Sequence, residues 1–375
     1  MQEQPSFNKA IAETMYPQAL QLLKQLISTP SFSKTENVTA DLIQEFFTQK
    51  NIPVKRYLNN IWTTNKYFDL SKPTVFLNSH HDTVKPNSGY SIDPFAPDEI
   101  DGKLYGLGSN DAGGCLVSLI SAFIHFHKAE DLKYNLVLVT SAEEEISGRD
   151  GVEGLLKQKD FLKLTAVQNP YNNWCGIVGE PTLLNMAVAE KGLMVLDCEA
   201  KGRAGHAARE EGENALYKAI TDIDWLRQYK FSKVSDLLGP VKINVTSIFT
   251  DNKAHNVVPA SCNFIVDVRV NELYTFDEVL AVLKDHLKSD IKPRSTRLRS
   301  SSIDLDHPLV VSGLKLSRSY YGSPTTSDKA LLSFPALKIG PGDSARSHSA
   351  NEFIYLKEIE EGITLYIDLL NNVIS

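Results

Sequence analysis

The sequence is first informative in what it does without. None of its apolar runs approaches the roughly 20 residues that a membrane-spanning helix needs. Its first residues, MQEQPSFNKAIAETMYP, carry acids and amides where a signal peptide would have a positive flank and an apolar core. No basic run is present, and Lys+Arg 39 against Asp+Glu 46 leaves a net charge of -7, which argues against nucleic acid as a partner. The four cysteines, Cys115, Cys175, Cys198 and Cys262, are scattered and form no C-x-x-C pair. Reduced, mostly buried thiols in a cytoplasmic protein fit that pattern better than a disulfide framework. Internal repeats and low-complexity segments are missing. The glycine-rich stretch GLGSNDAGG lacks both the Lys-Ser/Thr ending of a P-loop and the G-x-G-x-x-G spacing of a dinucleotide fold. No serine or cysteine has a matching base beside it, which disfavours a covalent acyl-enzyme.

What is present is an ordinary globular composition, 42% hydrophobic and 23% charged, over 375 residues. A chain of that size can bury a large core and divide into two domains. Its central stretch is 136–148, LVLVTSAEEEISG. The apolar, β-branched run 136–140 predicts a short buried strand. Glu143, Glu144 and Glu145 leave it with three adjacent like charges, an arrangement that raises pKa values unless a cation sits among them. Taken alone, these acids read as first-turn residues of a helix, complementing its positive end.

The rest of the chain repeats the motif. Helical spacing predicts helices over 10–26 and 37–49, and 74–78 reads as a buried strand followed at once by His80, His81 and Asp82. In H-x-D at a strand's carboxyl end, the acid can fix the tautomer of a metal-binding imidazole, so His80 is read as ligand and Asp82 as its orienter. Asp111 precedes the buried stripe Leu116, Leu119, Ile120 and Phe123, where an isolated acid would be an N-cap. A helix near Leu155 leads to a strand over 174–178, which ends in Gly179-Glu180-Pro181-Thr182. A fourth strand, 336–339, runs into GPGDSARSHSANE and supplies His348.

Four strands alternating with helices, each delivering His, Asp or Glu at its carboxyl end, predict an α/β fold with a mostly parallel sheet and a ligand site at that edge. Two histidines and three carboxylates, with one acid to spare, suit two divalent ions. Zinc fits this mixed nitrogen and oxygen set, with cobalt or manganese as substitutes. Asp111, on a glycine-rich loop, is the candidate bridge between them.

SHHDT, GSNDAGG, SAEEEISG, GEPT and GPGDSARSHSANE, in that order across nearly the whole chain, resemble the metal motifs of the dinuclear-zinc aminoacylase and deacetylase family, which includes acetylornithine deacetylase and succinyl-diaminopimelate desuccinylase. The resemblance implies His80, bridging Asp111 and Glu180 around one ion, and Asp111, Glu145 and His348 around the other. It makes Glu144 the general base. One departure is Ala112-Gly113, where many relatives have Met-Lys; it touches no ligand.

Between 186 and 302 the pattern changes. Strands over 192–200, 241–249 and 263–270, helices over 214–226 and 275–287, and an extended segment over 291–298 predict a βαββαβ unit of ferredoxin-like type. It resembles the family's inserted lid and dimerisation domain. The catalytic domain would then be discontinuous, 1–185 and 303–375, and lid pairing would make a homodimer. In KGRAGHAA, His206 lies among small residues, a place suited to close approach of a ligand. The resemblance assigns His206 to the substrate carbonyl of a neighbouring subunit, and Asn256 and Arg269 to the substrate's α-carboxylate, for which a planar guanidinium is suited. A structural ion pair is the other reading of Arg269.

The expected activity is metal-assisted hydrolysis of the amide of an N-acyl amino acid, N-acetylornithine, N-acetylcitrulline or an N-succinyl counterpart, in arginine biosynthesis. A desuccinylase, an N-acyl-lysine deacylase, a dipeptidase or a carboxypeptidase would use the same metals with a different pocket. A non-catalytic receptor would have little reason to keep Glu144. For the substrate side chain, Asp328, Asp343 and Glu352 favour a cation, whereas Arg346 favours a neutral or anionic group.

Overall fold

All seven residues of the strand Asn135–Ser141 are buried, and so are all seven of Thr74–His80. An unbroken apolar run without polar alternation is what a strand covered on both faces requires. The computed structural model, which describes residues 5–168, 173–209 and 211–375, shows that cover. One face receives the helices Pro5–Ile27, Asn37–Gln49, Gly114–Phe126 and Leu356–Ile374, whose Leu22, Phe47, Phe123 and Tyr366 pack with Val75, Leu77, Leu136 and Leu138 of the sheet. The intervening Phe76, Val137 and Val139 point to the other face and meet Trp62, Leu155, Phe161 and Trp174. The two-residue period of the strands thus feeds two cores from one apolar run.

The part of the nine-stranded sheet that carries the predicted residues runs in the order Lys55–Tyr57, Asn60–Thr64, Asn135–Ser141, Thr74–His80, Trp174–Val178, Ala336–Lys338, beyond which Met186–Glu190 joins antiparallel. Its three central ladders are parallel, and Asn60–Thr64 joins antiparallel. The chain falls into two compact units, residues 1–188, 303–321 and 327–375 in one and 189–302 with 322–326 in the other. No helix among the described residues is long and apolar enough to cross a membrane.

The second unit is a four-stranded antiparallel sheet in the order Lys242–Thr250, Ser261–Val270, Gly192–Lys201, Asp290–Pro293, with the helices Ala215–Gln228 and Phe276–His286. Along the chain this is β-α-β-β-α-β, as the sequence predicts. Burial alternates along Ser261–Val270, the sign of a sheet with one covered face. The last strand is shorter than the predicted 291–298, spanning Asp290–Pro293 at the sheet edge. The two-residue strands Gly205–His206 and Val257–Val258, which pair with each other, were not anticipated; they are too short to show a period.

Candidate metal centre

Parallel register brings the predicted residues to one edge. His80 ends its strand opposite Ser141, and Asn78 lies opposite Val178, so the residues that follow each strand emerge together. The His80 side chain is 1% exposed, with Nδ1 3.0 Å from the Asp82 carbonyl oxygen and 3.4 Å from its carboxylate. A proton on Nδ1 donated to that carbonyl leaves Nε2 with its lone pair directed into the cluster. Nε2 is buried, has no hydrogen-bond partner, and stands 3.4 Å from Asp111 Oδ1 and 3.9 Å from Glu180 Oε1. The backbone oxygen of Asp82 therefore makes the closer contact with the ring. Its carboxylate accepts from Ser33 Oγ at 2.7 Å and from the N–H groups of Glu144 and Glu145 at 3.1 and 3.2 Å.

The three glutamates form a turn and not the first turn of a helix. Glu143 has φ 57°, and its N–H donates to buried Glu36 at 3.2 Å, while Gly148 N–H closes back on the Glu143 carbonyl. Glu36 also accepts from the Lys34 N–H and the Asn59 side chain. Sequence reasoning missed Glu36, since an acid just ahead of a helix looks like an ordinary cap; here it makes no side-chain cap bond.

Asp111 is likewise not a cap. Gly113 precedes the helix Gly114–Phe126 without a side-chain cap, and the Asp111 carboxylate lies between two imidazoles, Oδ1 3.4 Å from His80 Nε2 and Oδ2 3.7 Å from His348 Nε2. The His348 side chain is 57% exposed, and its Nε2 is also 2.9 Å from Oε2 of Glu145, whose side chain is 7% exposed. Two sets of donor atoms come within 4.8 Å of one another: His80, Asp111 and Glu145, and His80, Glu144 and Glu180.

The electrostatics show an excess of buried negative charge. Burial pushes the Glu144 carboxyl well above the usual range, with Glu180, Asp328 and Glu145 adding to the rise against the pull of His80. Burial opposes the charged form of His80, yet Asp111 and Asp82, backed by Glu144 and Glu180, hold its pKa well above normal. Glu145, with Asp111 behind it, raises His348 to about 9 against partial burial. A cluster that takes up protons in this way is one that a divalent cation would neutralise. The orphaned Nε2 of His80 and the mixed imidazole and carboxylate donors fit zinc, cobalt or manganese.

The residues expected to choose the substrate side chain have other partners. Asp328 is buried and accepts from Asn78 Nδ2 and Ser141 Oγ at 2.9 and 2.7 Å. Asp343 accepts the Ala345 N–H, and the Arg346 guanidinium makes two bonds to Glu358. Glu352 is buried beneath the Asp111 loop. These contacts are structural, so the side-chain preference drawn from the four residues is withdrawn.

In the second unit, exposed His206 sits in the short ladder with Val257, and the Ala207 N–H donates to the Asn256 carbonyl at 3.0 Å. The structure thus brings His206 beside Asn256, which lies in the turn just ahead of the strand Val257–Val258. His206 Nδ1 accepts the Ala208 N–H at 3.2 Å. Arg269 donates through Nε and Nη2 to the Asp267 carboxylate at 2.8 and 3.0 Å, so it is engaged in an ion pair; its side chain remains 29% exposed, with Nη1 3.5 Å from Thr326 Oγ1.

Residues 76–372 match the model of peptidase family M20/M25/M40. The chain is 24% identical to an acetylornithine deacetylase of Buchnera aphidicola subsp. Schizaphis graminum, covering 90% of this chain and 93% of that one. It is also 24% identical to a succinyl-diaminopimelate desuccinylase of Rickettsia bellii, over 94% and 96%. Among solved structures it resembles an M20 family metallo-carboxypeptidase of Sulfolobus solfataricus, with TM-score 0.73, 16% identity, and 94% and 98% of the two chains covered. It also resembles the YXEP protein of Bacillus subtilis, a dinuclear metal binding peptidase, with TM-score 0.66, 15% identity and coverage of 96% and 98%. A family match over most of the chain, joined to an α/β sheet that gathers His80, Asp111, Glu145, Glu180 and His348 at one edge, shows that this protein belongs to peptidase family M20/M25/M40.

Proposed function

We propose that the protein is a two-metal amidohydrolase that removes the acyl group from an N-acyl amino acid. The observation that carries this reading is Glu144, a half-buried carboxylate gathered with His80 and Glu180, which the proposed ligand set leaves over as a base. His80, Asp111 and Glu180 would hold one ion and Asp111, Glu145 and His348 the other, zinc being the choice and cobalt a substitute. Bound there, the ions supply the Lewis acidity that activates a water and polarises the acyl carbonyl. Glu144 takes the water proton on its carboxylate and returns it to the nitrogen of the leaving amine. Because Nδ1 of His206 accepts a backbone N–H, the neutral ring carries its proton on Nε2, the form that can donate to an oxyanion. The Nη1 edge of Arg269, with Asn256, is assigned to the substrate's α-carboxylate.

The second unit, taken as residues 186–302, serves as lid and dimerisation domain to a catalytic domain of 1–185 and 303–375, in a cytoplasmic homodimer. Similarity to the Buchnera acetylornithine deacetylase over nearly full length supports N-acetylornithine or N-acetylcitrulline, in arginine biosynthesis, as the substrate class. The desuccinylases support an N-succinyl counterpart. The test is hydrolysis by zinc- or cobalt-loaded protein of N-acetyl and N-succinyl forms of ornithine, citrulline, lysine and diaminopimelate, alongside unacylated dipeptides. Cleavage of an N-acyl amino acid is expected to be fastest; faster cleavage of the dipeptides would replace the deacylase with a peptidase.

A further inference from the structure

We propose that Glu352 is a positioning residue for the Asp111 ligand loop, holding the loop by its backbone so that both oxygens of Asp111 face the two histidines. The proposal rests on the reading of Asp111 as a metal ligand. Glu352 precedes the strand Phe353–Tyr355, which pairs with Lys103–Tyr105, the strand from which the loop departs. Its carbonyl accepts the Gly106 N–H at 3.0 Å, anchoring the first residue of the loop. Its carboxylate then takes three more: Oε2 accepts Gly108 N–H at 3.2 Å, and Oε1 accepts Asn110 and Asp111 N–H at 2.8 and 2.9 Å.

These amides converge on one side chain because the loop leaves the regular path. Gly108 has φ +76°, open to glycine at no cost, and Asp111 at φ −114° and ψ 97° is not helical. Amides turned out of a helix or ladder and then buried must find an acceptor, and Glu352, 1% exposed, is that acceptor for three of the four from Gly108 to Asp111. Fixing the N–H of Asp111 fixes the base from which its carboxylate projects. The loop is tied a second time through Asn110, whose Nδ2 donates to the Asp343 carbonyl and whose Oδ1 accepts the Asp343 N–H, both at 3.0 Å. Asp343 belongs to the segment that carries His348, so two ligand-bearing segments are referenced to each other. The carboxylate of Glu352 is hydrogen-bonded to the loop's amides, while its charge reaches His348 only as a lesser contribution behind Glu145 and Asp111.

Full-length metal-free protein titrated with Co2+ tests this, read by the visible spectrum and by ion content after dialysis, with kcat and KM measured on the best substrate. Glu352→Ala removes all three carboxylate bonds. Glu352→Gln keeps one oxygen for Asn110 and Asp111 but sets an NH2 group against the Gly108 N–H. Cobalt affinity should fall about tenfold or more in Glu352→Ala and by less in Glu352→Gln, with an altered cobalt spectrum and a loss carried by kcat more than by KM. If Glu352→Ala does not fold, Glu352→Gln decides by the same titration. Wild-type cobalt affinity, spectrum and kcat in the folded variants, even with a lowered Tm, would overturn the proposal and leave Glu352 a structural acid. The wild-type titration comes first: failure to bind two ions would overturn the metal reading itself, a result distinct from any effect at residue 352.

Discussion

The two units place polar groups on β-strands in opposite ways. In the first unit every residue of Thr74–His80 and Asn135–Ser141 is buried, so polar side chains there are pressed to find partners, which Thr140 Oγ1 and His80 Nε2 lack. Asn78 and Ser141 bond Asp328, Ser79 bonds the Gly179 carbonyl, and the strands end in imidazole and carboxylates. In the second unit the strands alternate, and His206 stands exposed on a short ladder with Asn256 exposed in the turn beside it. Buried strand ends suit donors that must keep their geometry without water, whereas an exposed ladder suits groups that meet a molecule arriving from solvent.

The largest effect that would test this division is at Glu144. Glu144→Gln keeps the shape and removes the proposed base, so kcat should fall by at least about 10²–10⁴-fold. Metal content should stay near two ions per chain. Glu145→Gln should instead lose metal, because Glu145 Oε2 meets His348 Nε2 at 2.9 Å in the cluster. Elemental analysis of both variants decides: the opposite pattern would exchange base and ligand.

A smaller effect is expected from the exposed ladder and its neighbours. Losing the α-carboxylate partner should cost roughly 1.5 to 3 kcal/mol, more than tenfold in kcat/KM. The α-amide of the best substrate should therefore be poor for the wild type, and Arg269→Ala should erase the distinction while retaining metal. Arg269→Ala also frees Asp267, so the acid-to-amide ratio, and not the absolute rate, is the quantity to read. Equal wild-type activity on acid and amide would remove the carboxylate clamp. If His206 acts across a dimer, verified mixed dimers of His206→Ala and Glu144→Gln chains should recover part of the activity. No recovery would confine it to its own chain or to no role.

The sequence made the strand ends legible because burial on both faces leaves unbroken apolar runs that stop at chemistry. Trp174–Val178 and Asn37–Gln49 have their predicted limits, and Asn135–Ser141 extends its prediction by one residue at each end. What was hidden is how the backbone turns. Glu36, Asp82 and Glu352 each accept amides of a loop that carries a proposed ligand, across separations of 107, 62 and 242 residues. An acid in a sequence shows its charge but not which amides face it. The same blindness made Asp328 and Arg346 look available to substrate, when Ser141, Asn78 and Glu358 already hold them.

The smallest effect sharpens the contrast from the second unit's side. The helix Ala215–Gln228 begins at Asn214, whose Oδ1 accepts the N–H groups of Leu216 and Tyr217 at 2.9 and 3.4 Å. Four N–H groups at a helix start lack partners within the helix, and this side chain supplies an acceptor for two of them. Asn214→Ala should cost about 0.5–2 kcal/mol, enough to loosen the first turn while buried Ala215, Ala219 and Leu226 keep the helix on its sheet. Hydrogen exchange should then quicken in that helix and leave the amides of Thr74–His80 and Asn135–Ser141 protected. Metal content should not change, since among the described residues none of the proposed ligands lies in the second unit. Faster exchange in both buried strands, or loss of metal from Asn214→Ala, would show that the two units share one cooperative transition and would end the separation drawn between them.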